Sequence, residues 1–160
     1  MGFHQEENPV STDSSDTSQA AGFHHVAYAC RDIHENHRFY EDLIGLELVK
    51  TEVTPYGAGF FRHTFYDTGD GSCMAFFDLH GVGEADKDRT DISTGLGMPL
   101  WVNHIALKRN ADQTAAIVES LHEAGHGTYT LEHGWCRSTY VTDPNGISLE
   151  FCVDTPGFEP

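Results

Sequence analysis

An internal repeat restricts the fold of this chain more than any other feature of its sequence. The pattern of a histidine, a β-branched residue, an alanine and an apolar residue occurs in HHVAY and again in VNHIAL, which sets His25 and His104 at equivalent places 79 residues apart. Gly45 and Gly125 are 80 residues apart, so the register is kept through the segment that follows each strand. The repeat predicts two similar modules that pack into one fold.

Each module is predicted to contain four strands and one helix in the order βαβββ. In the first module, FHHVAYAC is strand-like, Asp32 is a candidate helix cap, and Gly45 ends a stretch with apolar residues at helical spacing. Three strand candidates follow: LELVKTEV, GFFRHTFYDT and CMAFFDLH. The second module repeats this order with a helix over 112–124 and strand candidates GTYTLEH, CRSTYVT and ISLEFCV.

Composition predicts where the folded unit begins and ends. Residues 1–21 are polar, acidic and rich in Ser and Thr, a composition that buries too little apolar surface to fold alone, so they are predicted to form a flexible arm. The predicted fold class is α+β, with paired βαβββ modules. The predicted divisions are a single domain over 22–154 (module one 22–80, linker 81–100, module two 101–154) and a C-terminal tail over 155–160.

Charge and hydropathy exclude several classes of partner. The formal net charge is −16, with 25 acidic and 9 basic residues, and no stripe of Lys or Arg could neutralise phosphates, which argues against nucleic acid. No apolar run approaches the roughly 18 residues of a membrane span. The N-terminal residues lack the basic and then apolar order of a signal peptide, and the four cysteines show no CxxC spacing. These features predict a cytoplasmic protein with reduced thiols.

The repeat also predicts a metal site. Two modules related by a pseudo-two-fold axis can bring His25 and His104 together, and a carboxylate lies near the end of the last strand of each module, namely Asp78 and Glu150. The apolar neighbours of Glu150 must face the core, so alternation leaves Glu150 on the other face. A buried carboxylate is costly unless it is paired or metal-bound. Two histidines opposite it would suit a divalent cation.

The ordered set HHVAYACRDIHENHRFYEDLIGLELV, YDTGDGSCMAFFD, VNHIAL and YVTDPNGISLE resembles the vicinal oxygen chelate superfamily over residues 23–153. That superfamily includes glyoxalase I, bleomycin-resistance proteins and type I extradiol dioxygenases. The resemblance implies that the mixed sheets of the two modules curl, partly open, around a metal site. It also implies that His25, His104 and Glu150 are metal ligands, and that His25 faces the cavity whereas His24 does not. A ligand set of two histidines and one carboxylate leaves open positions for a small substrate with vicinal oxygens.

Within the superfamily, the residues match the extradiol dioxygenases best. These enzymes have a tyrosine ten residues before the ligand glutamate, which corresponds to Tyr140. They also have a histidine outside the ligand set that assists oxygen activation and proton transfer, for which His80 is the natural match. The resemblance therefore implies an Fe(II)-dependent ring-cleaving dioxygenase that takes a catechol-like aromatic and dioxygen, with Tyr140 and His80 assisting ring opening. It also implies a homodimer.

Two alternatives remain open. A glyoxalase-type lyase or isomerase would use Ni, Zn or Mn, with Glu150 abstracting a proton from carbon and Asp78 as a fourth ligand, where glyoxalase I has glutamate. A non-enzymatic resistance protein would instead sequester a drug or an aromatic compound. His133 and Trp135, in LEHGWCRST, are candidates for lining the pocket in any of these cases.

Overall fold

The computed structural model describes residues 22–83 and 89–157 and contains the predicted order of elements twice. The predicted arm 1–21, residues 84–88 of the linker and residues 158–160 of the tail lie outside the described residues. The first βαβββ run has β1 (His25–Ala29), α1 (Ile33–His37) continuing into π-type turns (Arg38–Leu43), β2 (Leu48–Tyr56), β3 (Gly59–Asp67) and β4 (Cys73–His80). The second has β5 (His104–Lys108), α2 (Ala111–Glu123), β6 (Tyr129–Glu132), β7 (Cys136–Thr142) and β8 (Ser148–Asp154), after a short 3₁₀ turn at Thr94–Leu96.

Side chains at the helix starts explain where the two helices begin. Asp32 caps α1 as predicted, because its carboxylate accepts hydrogen bonds from the backbone amides of His34 and Glu35. The second helix begins one residue earlier than predicted. Asn110 rather than a later residue is its cap, and it forms a reciprocal capping box with Gln113.

The strands form two four-stranded sheets with the same topology. Their orders are β1-β4-β3-β2 and β5-β8-β7-β6. In each sheet the first and last strands of the module pair in parallel and the other pairs are antiparallel, so both sheets are mixed. The sheets are not closed, which confirms the predicted α+β class with paired, partly open modules.

A single hydrophobic core joins the two modules. It contains the helix side chains Phe39 and Leu121 and, from one face of each sheet, Phe76, Leu149 and Phe151. Each fully buried side chain of this kind contributes about 1.5–3 kcal/mol of transfer free energy. Because this core takes one face of each sheet, the opposite faces, which carry His25 and His104, are left for function.

A buried polar junction also connects the modules. The Tyr40 hydroxyl donates a 2.8 Å hydrogen bond to Asp143, and the Asn145 side-chain amide donates one of 2.8 Å to Asn36. Burial raises the pKa of Asp143, although hydrogen bonds from Ile147 and Tyr40 oppose that effect. The turn DPNG therefore holds the first helix against the second sheet.

Neither helix of the described ranges has the length and apolar character that a membrane-spanning helix needs.

Candidate metal centre

Glu150 lies on β8 with its carboxylate on the face away from the core. Leu149 and Phe151 on either side are fully buried in the core, so strand alternation turns Glu150 to the other face, as the sequence predicts. Only 5% of Glu150 is exposed. An almost fully buried carboxylate needs partners, and its contacts define the site.

The first partner of this carboxylate is His104 on β5. Its Nε2 lies 3.0 Å from Glu150 Oε2, and its Nδ1 lies 3.0 Å from the backbone carbonyl oxygen of Trp101. A carbonyl oxygen only accepts, so Nδ1 donates to Trp101, and this hydrogen bond turns Nε2 towards the carboxylate. Metal-ligating histidines are usually oriented by a hydrogen bond of this kind. If two ligand atoms each lie about 2.1 Å from one cation and make a right angle at it, the two atoms are about 3 Å apart. The observed 3.0 Å between His104 Nε2 and Glu150 Oε2 therefore fits binding of one divalent metal.

Tyr140 lies directly beside this pair. The strand register pairs Tyr140 with Glu150, and the centre of the Tyr140 ring is 6.2 Å from that of His104. Burial raises the pKa of Tyr140, and the Glu150 charge raises it further, while a hydrogen bond with Ser138 opposes both. The phenol therefore stays protonated at neutral pH and can donate a hydrogen bond.

An aromatic rim surrounds the Tyr140 hydroxyl. His133 Nε2 lies 3.2 Å from that hydroxyl, and Tyr129 stacks on the Tyr140 ring with centres 4.9 Å apart. The ring of Trp135, which is half exposed, lies 6.1 Å from that of His133. The two predicted lining residues therefore lie side by side near the tyrosine.

Ser138 and Cys152 also contact Glu150, and Cys136 lies close to them, and sequence reasoning missed all three. Ser138 Oγ donates a very short hydrogen bond to Glu150 Oε1, and Cys152 Sγ lies 3.4 Å from the same oxygen. Across residues 22–83 and 89–157, the only set of three potential ligands whose donor atoms lie within 4.8 Å of one another is Cys136, Glu150 and Cys152. Burial raises the pKa of the Cys152 thiol to about 12. The period-two spacing of these residues on adjacent strands was the available signal.

His25 lies on the exposed face of the first sheet. Its ring edge contacts Phe65, with centres 5.4 Å apart, and its Nδ1 lies 2.7 Å from Nδ1 of His24. The strand begins at His25, so alternation does not separate it from His24, and the two rings touch. Among the described residues of one chain, His25 belongs to no donor set with His104 and Glu150. The three-ligand set therefore stays a prediction.

Asp78 and His80 form a separate cluster at the end of β4. Asp78 is 3% exposed, and its Oδ2 lies 2.6 Å from His80 Nε2 and 3.2 Å from Arg62 Nη2. Phe60 stacks on His80 with ring centres 4.4 Å apart. His25 pairs with Cys73 at the start of β4. Because side chains alternate along a strand, Asp78 and His80 lie on the opposite face of the sheet from Cys73 and His25.

The strand register also identifies the true counterpart of Glu150 in the first module. Glu150 pairs with Ala106, two residues after the histidine of β5, and the matching pair in the first sheet is Ala27 with Ala75. Asp78 lies three residues beyond Ala75, so the first module has an alanine where the second has its inward carboxylate. Whether Asp78 and His80 take part in chemistry stays a prediction.

The His25 face carries another histidine that the sequence analysis did not single out. His63 is buried, stacks on Phe77 with ring centres 3.8 Å apart, and has its ring 6.2 Å from that of His25. Its Nδ1 lies 3.6 Å from Glu52, whereas its buried Nε2 has no hydrogen-bond partner in the described part of the chain. Burial lowers the pKa of His63, although Glu52 opposes this, so its ring is neutral at pH 7.

Comparison with known proteins identifies relatives of two kinds. Over 65 residues, the chain is 42% identical to "Putative ring-cleaving dioxygenase MhqE" of Bacillus subtilis (strain 168), a match that covers 39% of this chain and only 22% of that protein. The solved structure of a glyoxylase/bleomycin resistance protein/dioxygenase domain from Frankia sp. EAN1pec superposes with a TM-score of 0.63 at 18% identity, covering 86% of this chain and 95% of the other.

A second solved structure contains a metal. It is the fosfomycin resistance protein FosX from Listeria monocytogenes in complex with Mn(II) and 1S,2S-dihydroxypropylphosphonic acid, with a TM-score of 0.61, 14% identity and coverage of 85% of this chain and 94% of the other. At these identities the two structures establish the fold alone. The family model of the glyoxalase/bleomycin resistance protein/dioxygenase superfamily matches residues 22–151. The chain therefore belongs to the glyoxalase/bleomycin resistance protein/dioxygenase superfamily.

Proposed function

We propose that the protein is an Fe(II)-dependent extradiol-type dioxygenase that cleaves the ring of a catechol-like aromatic compound and works as a cytoplasmic homodimer. The observation that carries the proposal is the pair formed by His104 Nε2 and Glu150 Oε2, 3.0 Å apart, with Tyr140 directly opposite on the neighbouring strand. The match to a protein named as a ring-cleaving dioxygenase supports the same reaction class, although it spans a small part of that protein.

His104 and Glu150 would hold the iron together with His25. When bound, Fe(II) supplies a Lewis acid with open positions for vicinal substrate oxygens and for dioxygen. Ser138 holds one oxygen of Glu150 by its hydrogen bond, which leaves the other oxygen facing His104. The carbonyl of Trp101 fixes the ring of His104, so both donors are oriented before a cation arrives.

The chain also supplies groups for binding and orienting an aromatic substrate. The protonated phenol of Tyr140 can donate a hydrogen bond to a substrate oxygen beside the metal. On the His25 face, Phe65, His63 and Phe77 form an aromatic wall against which a planar ring can pack. Within that wall, His63 Nε2 has no hydrogen-bond partner among the described residues and can pair with a hydroxyl group of the substrate.

His25 comes from a second copy of the chain in this proposal. His25 and His104 both lie on exposed strand faces. On these faces the second module has the carboxylate of Glu150, whereas the first has Ala75 at the equivalent position. Packing module one of one chain against module two of another would complete two equal sites by two-fold symmetry.

Mixing two inactive variants tests this pairing. In a dimer of one His25→Ala chain and one Glu150→Gln chain, one of the two sites has all its ligands, so random reassociation should restore about a quarter of the wild-type iron and activity. Each variant alone should have neither. If the three ligands came from a single chain, mixing would restore nothing, and the shared-site proposal would fail.

Metal analysis of anaerobically purified protein tests the reaction class. We expect iron near one equivalent per chain, and oxygen uptake with at least one member of a panel of catechols. Iron near zero and no oxygen uptake across the panel would reject the dioxygenase. Bound Ni or Mn, or bound Zn that is lost in His104→Ala, would favour the glyoxalase-type lyase. Ligand binding without metal would favour a sequestering protein.

A further inference from the structure

A second group of potential ligands lies on the same sheet face as His104 but on the other side of Glu150. Cys152 Sγ is 3.4 Å from Glu150 Oε1, and Ser138 Oγ lies 3.4 Å from Cys136 Sγ and 3.5 Å from Cys152 Sγ. The two thiols and the carboxylate have donor atoms within 4.8 Å of one another. Paired strands β7 and β8 hold all of these residues, so the backbone is rigid.

The spacing and chemistry of these donors match a soft cation. A sulfur about 2.3 Å and an oxygen about 2.1 Å from a tetrahedral zinc ion are about 3.6 Å apart, close to the observed 3.4 Å between Cys152 and Glu150. Two thiols select Zn²⁺ or Cd²⁺ over Fe(II), Mg²⁺ or Mn²⁺, because thiolates are soft ligands. Cys136 is fully buried and Cys152 partly buried, so the site is enclosed on the Cys136 side.

We propose that Cys136, Cys152 and Glu150 form a binding site for a thiophilic divalent cation, Zn²⁺ or Cd²⁺. Each thiol releases one proton to solvent as its bond to the cation forms, and no electron transfer is involved. The site does not depend on the proposed dioxygenase function, because it uses neither His25 nor His104. It uses Glu150 through Oε1, whereas His104 faces Oε2.

Titrating the metal-free full chain with Cd²⁺ under reducing conditions tests the site. The ultraviolet thiolate-to-cadmium charge-transfer band should rise to saturation at one equivalent, with an intensity that corresponds to two thiolates. Loss of a residue that only hydrogen-bonds to a metal ligand lowers metal affinity by about 10–100-fold. Loss of a ligand should cost no less, so Cys136→Ser and Cys152→Ser should each weaken Cd²⁺ binding by at least about tenfold. Cys73→Ser is the matched control and should leave the band unchanged.

His104→Ala separates this site from the proposed iron centre. It should keep the band and the Cd²⁺ affinity while losing any iron. Absence of the band, its survival in both serine variants, or its loss in His104→Ala would each overturn the proposal. Circular dichroism checks the folding of the variants. If they do not fold, the ¹¹³Cd chemical shift of the wild-type complex reports directly whether two sulfurs bind, and a shift without sulfur ligands would overturn the proposal as well.

Discussion

The two modules share a topology but differ in the chemistry of their outward sheet faces. Where the second module has Glu150 and Tyr140, the equivalent paired positions of the first are Ala75 and Phe65. The histidine at the start of each first strand is common to both. The two modules thus share their strand order, whereas the outward face carries a carboxylate and a phenol in one module and an alanine and a phenylalanine in the other.

The largest effect is expected when Glu150 is replaced, because the equivalent residue of the first module, Ala75, has no carboxylate. Glu150→Gln should lower metal affinity by at least about 100-fold, because a neutral amide is a much weaker ligand than a carboxylate. Metal content after dialysis measures it. Asp78→Asn is the matched control from the first module and should keep the metal, since Asp78 is paired with Arg62 and His80. Equal metal loss in both variants would contradict the asymmetry between the modules.

Tyr140→Phe gives the second module the residue that the first module has at the equivalent position, Phe65. Removing a hydrogen-bond donor that acts on developing charge costs about 10²–10³-fold in kcat, so we expect a loss of that size with metal content unchanged. The stacked Tyr129 is the control, and Tyr129→Phe should change kcat by less than about threefold because its ring stacking is kept. A normal kcat in Tyr140→Phe would remove the phenol from the mechanism.

Tyr40→Phe tests the junction that holds the modules together. The substitution removes a hydrogen bond to the buried Asp143 and should lower the free energy of unfolding by about 1–3 kcal/mol. Urea denaturation measures it, with Tyr56→Phe as an exposed control expected to change stability by less than about 0.5 kcal/mol. If Tyr40→Phe were neutral, the junction would not contribute to the assembly of the two modules.

The smallest effect is expected at His63, where stability and binding should change in opposite directions. His63→Phe removes a buried nitrogen that has no hydrogen-bond partner in residues 22–83 and 89–157, and it keeps the stacking on Phe77. The free energy of unfolding of the metal-free protein should therefore rise by about 1 kcal/mol. Affinity for an aromatic ligand with a hydroxyl group should fall. A thermal melt and a ligand titration measure the two, and lower stability with unchanged affinity would assign His63 to packing alone.

Much of the fold was readable from local pattern. The caps at Asp32, the helix-ending glycines with positive φ (82° at Gly45 and 87° at Gly125) and the inward Glu150 depend on a few neighbouring residues. The pairing of Tyr140 with Glu150 follows from one short hairpin. The placement of Asp78 could not be read this way, because equivalence between modules depends on strand register and not on distance from the strand end.

By itself, the sequence determined the repeated βαβββ order and which face of the last strand carries the carboxylate, since alternation and capping act over a few residues. Tertiary structure alone decided that Ser138 and the cysteines lie close to Glu150, that His63 lies buried beside His25, and that, among the described residues, His25 and His104 belong to no common set of donor atoms. These contacts join strands whose relative positions are set by sheet register and core packing, which involve residues far apart in the chain.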